Sequence, residues 1–441
     1  MFTRKQLIQL IVPLVIEQFL AMAVGAADTV MVASCGEAAV SAVSLVDSIS
    51  VLLINIFSAL ATGGAVIAAQ YIGRQDAANA RTAAKQLIYV VSFLSVLIAA
   101  AALIFRRSIL SMVFGHIDAE VMDNALTYFW ISAVSYPFLA VYNGSAALFR
   151  SMGNSKISML VSLLMNGINI VGNAILIYGF NMGVAGAATA TLFARILAAV
   201  LMMVLLRNPR YVLSVRDLHK IRIRFDMIRS ILRVGVPNGV ENSLFQVGKI
   251  LVSSLIATFG TSAIAANAVA NSLCSIAVIP GSALGLAMIT VVGQCVGAGD
   301  YQQTRHYAGV LMKLSYLAMF ITNLLTTVLA GPLVGFYNLS GTTAVMAQHL
   351  VIIHSGMAII FWPASFTLPN ALRAAGDAKF TMVVSMLSMW IFRIGFSFLL
   401  GQALNMGVEG VWWAMIIDWV ARVTCFVLRF KGTRWQEKRL I

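Results

Sequence analysis

A single carboxylate, Asp28, sits in the run Gly25-Ala-Ala-Asp-Thr-Val-Met-Val-Ala-Ser34, where every other side chain is small or apolar. Glu17 precedes it by 11 positions, close to three helical turns, so in a helix the two acids share a face. Amides recur at Asn166, Asn169 and Asn173, spaced i, i+3 and i+7, which is again one face. Amide and hydroxyl oxygens are hard donors suited to a dehydrated alkali cation, and one carboxylate supplies the charge or takes a proton. The same spacing also serves as polar glue between helices, and an acid near Gly36 could instead cap a helix end. A further stripe, Asn242, Gln246, Lys249 and Ser253, places an ammonium ion among hydrogen-bonding groups.

The elements that position these residues are set by composition. The chain has 441 residues, 60% of them hydrophobic and only 10% charged, against roughly 25% charged in soluble domains. Lipid is therefore the expected solvent for much of it. Apolar runs of spanning length fall near 7–34, 40–70, 86–106, 124–148, 157–179, 184–206, 230–258, 263–294, 309–332, 346–371, 380–401 and 407–429, each long enough for a helix of about 20 residues to cross. The fold class is thus an all-α polytopic membrane protein of twelve helices. The N-terminal run outlasts the roughly 7–15 apolar residues of a cleavable signal and reads as a retained first helix. Cys35, Cys274, Cys295 and Cys425 stand singly in apolar surroundings and read as small core residues, with no metal-ligand spacing.

The net charge of +14 is a topology signal and not a nucleic-acid footprint, because Lys and Arg collect in alternate connections. Arg74, Arg81 and Lys85, then Arg150 and Lys156, then the segment 207–229, then Arg305 and Lys313, then Arg373 and Lys379, and the tail carry them. The opposite connections carry none except Arg106 and Arg107. The positive-inside bias puts both termini and the 207–229 loop in the cytoplasm of a cell whose inner membrane the chain spans.

The chain also repeats itself. Val12-Pro13 with Glu17 recurs as Val236-Pro237 with Glu241, 224 positions on, and the same shift relates Gly36 to Gly260, Gln70 to Gln294, Asp76 to Asp300 and Asn181 to Asn405. The loops 150–156 and 373–379 match at 223. The expected organisation is an N-terminal lobe, 1–206, a basic linker, 207–229, and a C-terminal lobe, 230–441, six helices each and related by a twofold along the membrane normal. Val252 occupies the place of Asp28 in the second half, so the cation candidate belongs to the first half alone.

Ionisable groups inside the membrane cost roughly 2.5–3.5 kcal/mol each at the bilayer centre and so mark function or pairing. Besides Asp28 they are Glu17, placed near the midplane, Glu241, Asp47, Asp418, Arg195, Lys249, Arg393, Arg422 and His354. Asp418 and Arg422, four apart, are expected to pair locally. Arg195 and Arg422 are placed toward cytoplasmic helix ends, where long side chains snorkel. Arg393 lies deeper and pairs with Glu241 or adds positive potential. Phe19, Phe245, Phe361 and Trp362 line an apolar cavity or pack.

These motifs, with Ala27-Asp-Thr-Val-Met-Val32, Gly183-Val-Ala-Gly-Ala-Ala-Thr-Ala-Thr191 and Val-Gly-Gln294-Cys-Val-Gly-Ala-Gly-Asp300, resemble the multidrug and toxic compound extrusion (MATE) family over nearly the whole chain. The resemblance implies two six-helix lobes and export of organic, often cationic, compounds against inward sodium or protons. It implies a cation-coupling set of Asp28, Asn169, Asn173 and Thr191, the same four holding sodium if sodium is the ion. A second cation site in other members pairs a Glu matched by Glu241 with an acid whose place falls near Trp362. Glu17, Glu241, Gln246, Lys249, Arg393, Trp362 and His354 are the substrate, cavity or gating candidates.

The function expected is secondary-active export by alternating access, with the proton or sodium as coupling ion. No cofactor and no enzymatic activity are expected, since no phosphate-binding GxxxxGK[ST], HExxH or nucleophile elbow occurs. Partners are small amphipathic organic substrates and the lipid bilayer, with no nucleic acid, and the protein is expected to act as a monomer. The alternative is a flippase of the same superfamily for lipid-linked saccharides.

Overall fold

The computed structural model describes residues 2–115 and 118–441. Twelve long helical stretches account for nearly all of them. In the first half these are α1 (Arg4–Ala33), α2 (Glu37–Gly73), α3 (Ala77–Phe114), α4 (Ala119–Ser151), α5 (Ser155–Gly179) and α6 (Gly183–Leu206). In the second they are α7 (Phe225–Ala257), α8 in two pieces (Thr261–Ala277 and Ile279–Gly297), α9 (Tyr301–Val328), α10 (Gly341–Ala374), α11 (Ala378–Ala403) and α12 (Gly407–Lys431). Among the described residues, eleven helices are long and apolar enough to cross a membrane. The one stretch without such a piece is α7, where Asn238, Glu241, Asn242, Gln246 and Lys249 dilute the apolar run. Large apolar side chains such as Phe93, Ile104 and Val30 are exposed, as lipid-facing surfaces require.

The two halves repeat in backbone as well as in sequence. Gly36 and Gly260 precede α2 and α8 with φ of 102° and 100°, values that a side chain would resist. Asn181 and Asn405 both take the left-handed conformation ahead of α6 and α12, with φ of 52° and 54°. Asp76 caps α3 by accepting from the Asn79 backbone N–H at 3.0 Å, and Asp300 caps α9 by accepting from Gln303 at 2.9 Å. The hydrogen bonds from Asn79 hold the Asp76 carboxyl below the usual carboxylate range. π-helical turns end α5 (Ala174–Gly179) and occupy α11 (Ser388–Gly395 and Ser397–Ala403).

Contacts divide the chain into two units, Phe2–Gly239 and Val240–Ile441. In the first, α4 packs on α2, α3 and α6, and α5 packs on α1 and α6. In the second, the first piece of α8 packs on α10, its second piece on α9, and α12 on α10 and α11. The boundary falls inside α7, so the segment 207–229 and the opening turns of α7 go with the first unit. A glycine crossing explains why. A Cβ on Gly63 of α2 would lie 2.5 Å from the Ile231 carbonyl oxygen and 2.8 Å from the Gly235 nitrogen, so only hydrogen lets these backbones approach. The linker is also strapped to α3, with Arg81 donating to the Val212 carbonyl at 3.0 Å and Gln86 to that of Arg222 at 2.7 Å.

Several boundaries differ from the sequence expectation. Helix α3 runs on through Arg106 and Arg107 to Phe114, so these two arginines are exposed helical residues and not loop. The run 263–294 is broken at Val278, two residues before Pro280, whose ring cannot continue the preceding turn. The Ala277 carbonyl at the break accepts from the Thr322 hydroxyl at 2.8 Å and the Asn323 amide at 3.2 Å, both on α9. Cys425 is exposed, unlike the buried Cys274 and Cys295.

Candidate functional site

Helix α1 presents both of its acids to α5, as their spacing requires. Asp28, half-buried, accepts from Asn173 Nδ2 at 2.7 Å. The amide of Asn169 lies between Asp28 and Thr191. With its nitrogen turned to the carboxylate it donates to Asp28 Oδ1 at 2.7 Å, and its oxygen accepts from Thr191 Oγ1 at 2.9 Å. Turned the other way, it donates to Thr191 Oγ1, whose own hydroxyl donates to the Ala187 carbonyl at 3.0 Å. The Asn173 Oδ1 atom is buried with no hydrogen-bond partner, an orphan acceptor that costs free energy unless something fills its need. Helices α1, α5 and α6 thus bring together one carboxylate, two amides and a hydroxyl. Among the described residues no three His, Cys, Asp or Glu side chains gather to hold a metal ion. Hard neutral oxygens around one charge match an alkali cation or a proton in preference to a transition metal.

A second polar group stands beside this one. Tyr128 on α4 donates to Asp47 on α2 at 3.2 Å, and Arg195 on α6 donates to Ser135 on α4 at 2.6 Å. Asp47 and Arg195 both lie within electrostatic reach of Asp28. Arg195 therefore points into the unit from the middle of Gly183–Leu206 and does not snorkel to a helix end.

Glu17 stands level with the first turn of α5, where it accepts from the Ser158 hydroxyl and pairs with Arg150 at 3.2 Å. Glu241 pairs with Arg373 at 2.7 Å. The two pairs are repeat counterparts, each tying a proline-bearing helix to the C-terminal end of α4 or α10 in its own unit.

In the second unit the expected pair of Asp418 with Arg422 forms at 3.0 Å and is almost fully buried. Arg422 also donates to Ser385 on α11, so it too is internal and does not snorkel. Arg393 faces Asp418 at 3.9 Å, and Glu241 is taken by Arg373, which closes the alternative of an Arg393–Glu241 pair. Lys249 and Arg393 line a cleft with Asn267, Asn271 and Trp412. His354 is buried between Trp412 and Trp419, with ring centroids at 5.9 and 5.1 Å. Trp362 is buried against Phe366 at 5.0 Å and packs over Gly281. Gln246 is half-buried on the same helix as Lys249.

The family model MatE matches the chain twice, over residues 13–175 and 237–399, windows of equal length offset by the 224 positions of the internal repeat. The chain belongs to the MATE family. This MATE transporter is 29% identical over 436 residues to the uncharacterized transporter YisQ of Bacillus subtilis, covering 97% of this chain and 94% of that one. It is 25% identical to the probable multidrug resistance protein NorM of Thermotoga maritima, covering 99% and 94%. Among solved structures, an outward-facing multidrug resistance MATE transporter superposes with a TM-score of 0.91 at 19% identity, covering 98% and 96% of the two chains. A MATE protein in a bent conformation superposes with a TM-score of 0.89 at the same identity and coverage.

The residues that single-helix spacing misses are Tyr128 and Ser135, which reach Asp47 and Arg195 on other helices. Asp47, Tyr128, Ser135 and Arg195 share no motif, and only the contacts of α2, α4 and α6 assemble them. Arg150 and Arg373 did carry a signal, since they sit at the two loops matched at 223.

Proposed function

We propose that this multi-pass membrane protein exports amphipathic organic compounds by alternating access, driven by inward movement of a proton or sodium ion bound at Asp28. The observation that carries the reading is the cluster of Asp28 with Asn169, Asn173 and Thr191, one charge among neutral oxygens with Asn173 Oδ1 left over. An ionised Asp28 is held by the amide nitrogens of Asn169 and Asn173. A protonated Asp28 becomes a donor, so Asn169 turns its oxygen to it and its nitrogen to Thr191, whose hydroxyl donates a hydrogen bond to the Ala187 carbonyl. With sodium as the transported ion, Asn169 and Asn173 offer their oxygens beside the carboxylate and Thr191 adds its hydroxyl. In either case the charge of Asp28 is cancelled, its desolvation cost of roughly 2.5–3.5 kcal/mol falls away, and α1, α5 and α6 are free to repack. An inward potential of about 100 mV adds roughly 2.3 kcal/mol per charge moved.

The names of the relatives favour multidrug export over flipping of lipid-linked saccharides. The reading places the transporter, as a monomer, in the cytoplasmic membrane with both termini inside, because the basic connections fall on one side. The test is export of a fluorescent amphipathic compound from proteoliposomes with sodium and proton gradients imposed separately. One gradient drives export and collapsing it abolishes export. Equal export with both gradients collapsed and no membrane potential would overturn the reading.

A further inference from the structure

The second unit holds a polar cleft that the chemistry at Asp28 does not use. Lys249, Ser253, Asn267, Asn271, Arg393 and Trp412 bound it, and its volume is about 40 Å³. A single water needs roughly 10–15 Å³ on such a scale. There is room for a charged head group and not for a whole drug molecule.

Charge does not balance around it. Lys249, Arg393 and Arg422 bring three positive charges, and Asp418 brings one negative. Asp418 Oδ1 is already occupied by Arg422 Nε at 3.0 Å and by the Ser388 hydroxyl, and Asp418 Oδ2 stands 3.9 Å from Arg393. Among the described residues Lys249 meets no carboxylate. All three cations lean on the ring of Phe245 instead, with Arg393 at 5.3 Å, Arg422 at 5.5 Å and Lys249 at 6.0 Å from its centroid. A π face attracts a cation without cancelling its charge, so the positive potential of the cleft survives.

The neutral groups point the same way. Trp412 Nε1 donates to Asn267 Oδ1 at 3.0 Å, which uses the acceptor end of that amide and leaves Nδ2 as a donor without a partner among the described residues. An anion entering the cleft meets an ammonium, a guanidinium and an amide N–H. A cation meets like charge.

From this geometry we propose that the cleft binds the anionic head group, a carboxylate or sulfonate, of an amphipathic organic compound whose apolar body stays outside it. The substrate class is thus organic anions, and its transport meaning rests on the exporter reading above, whereas the binding itself needs no gradient. The test is equilibrium binding to the purified full chain in nanodiscs of phosphatidylcholine, with naphthalenesulfonate and naphthyltrimethylammonium as probes that share a body and differ in charge. The anion binds at least tenfold tighter than the cation. Lys249→Gln weakens anion binding about tenfold, the scale of one charge-assisted hydrogen bond. Lys249→Arg keeps the preference and Lys249→Glu inverts it, each with the melting temperature of the parent, because Lys249 has no ion-pair partner to lose. Equal affinities for the two probes, or a Lys249→Gln protein that binds the anion as the parent does, overturns the proposal. So does loss of anion binding when phosphatidylglycerol is added to the nanodiscs, which would make a lipid head group the occupant. Gradient-driven export of some other compound can succeed while these binding results fail, so the two readings fall separately.

Discussion

Asp28→Asn is expected to lower gradient-driven export about 100-fold while the protein still inserts and folds. The magnitude follows from the charge. Roughly 2.5–3.5 kcal/mol separates a charged from a neutral group at mid-membrane, and about 1.4 kcal/mol is a decade in an equilibrium constant. The amide of asparagine keeps the size of the side chain and its contact with Asn173, so α1 and α5 stay packed. It carries no charge for a cation to cancel, and the site rests permanently in its neutral arrangement. The measurement is initial export rate under a fixed gradient, alongside the melting temperature in detergent. Parent-level export by the variant would remove Asp28 from the coupling step. Asp28→Glu, which keeps the charge on a longer arm, should recover part of the rate.

The second large effect concerns stability and not transport. Asp418 is fully buried and faces two guanidinium groups, those of Arg422 and Arg393. Asp418→Asn leaves both without a counter-charge in the interior, and the loss should be about 3–5 kcal/mol, the usual cost of removing one partner of a buried pair. Thermal unfolding in detergent should fall well below that of the parent, and the double variant Asp418→Asn with Arg422→Gln should regain part of the loss, because one of the orphaned charges goes with it. An unchanged melting temperature for Asp418→Asn would mean that water reaches these groups and that the cleft beside Arg393 is not a low-dielectric site.

Residues that share one helical face could be placed from the sequence, and residues that meet across helices could not. Asp28 and Glu17 are 11 apart on α1, and both do face α5, because 11 residues is close to a whole number of turns. Asn169 and Asn173 share a face for the same reason, and Thr191 joined them through the family resemblance and not through spacing. Asp47 and Tyr128 are 81 positions apart and Arg195 and Ser135 are 60 apart. Periodicity says which side of a helix is polar but not which helix stands opposite. Arg195 is expected toward a helix end, but it lies midway along Gly183–Leu206 and turns inward to Ser135, a partner that sequence distance from the basic linker does not reveal. The break at Val278 had its cause in plain view, Pro280, but the apolar run continues across it and hydropathy does not register a missing backbone donor. Trp362, the position where the family resemblance implies a second acid, carries an aromatic ring packed on Phe366.

Antiport requires that substrate movement in one direction drive the ion in the other. Reconstituted protein, with substrate loaded on one side and no ion gradient imposed, should therefore pump protons, read by an entrapped pH dye, or sodium, read by isotope uptake, against the substrate flow. The parent should show this counterflow, and Asp28→Asn should show none. Substrate that crosses in the parent with no movement of either ion would contradict coupling at Asp28.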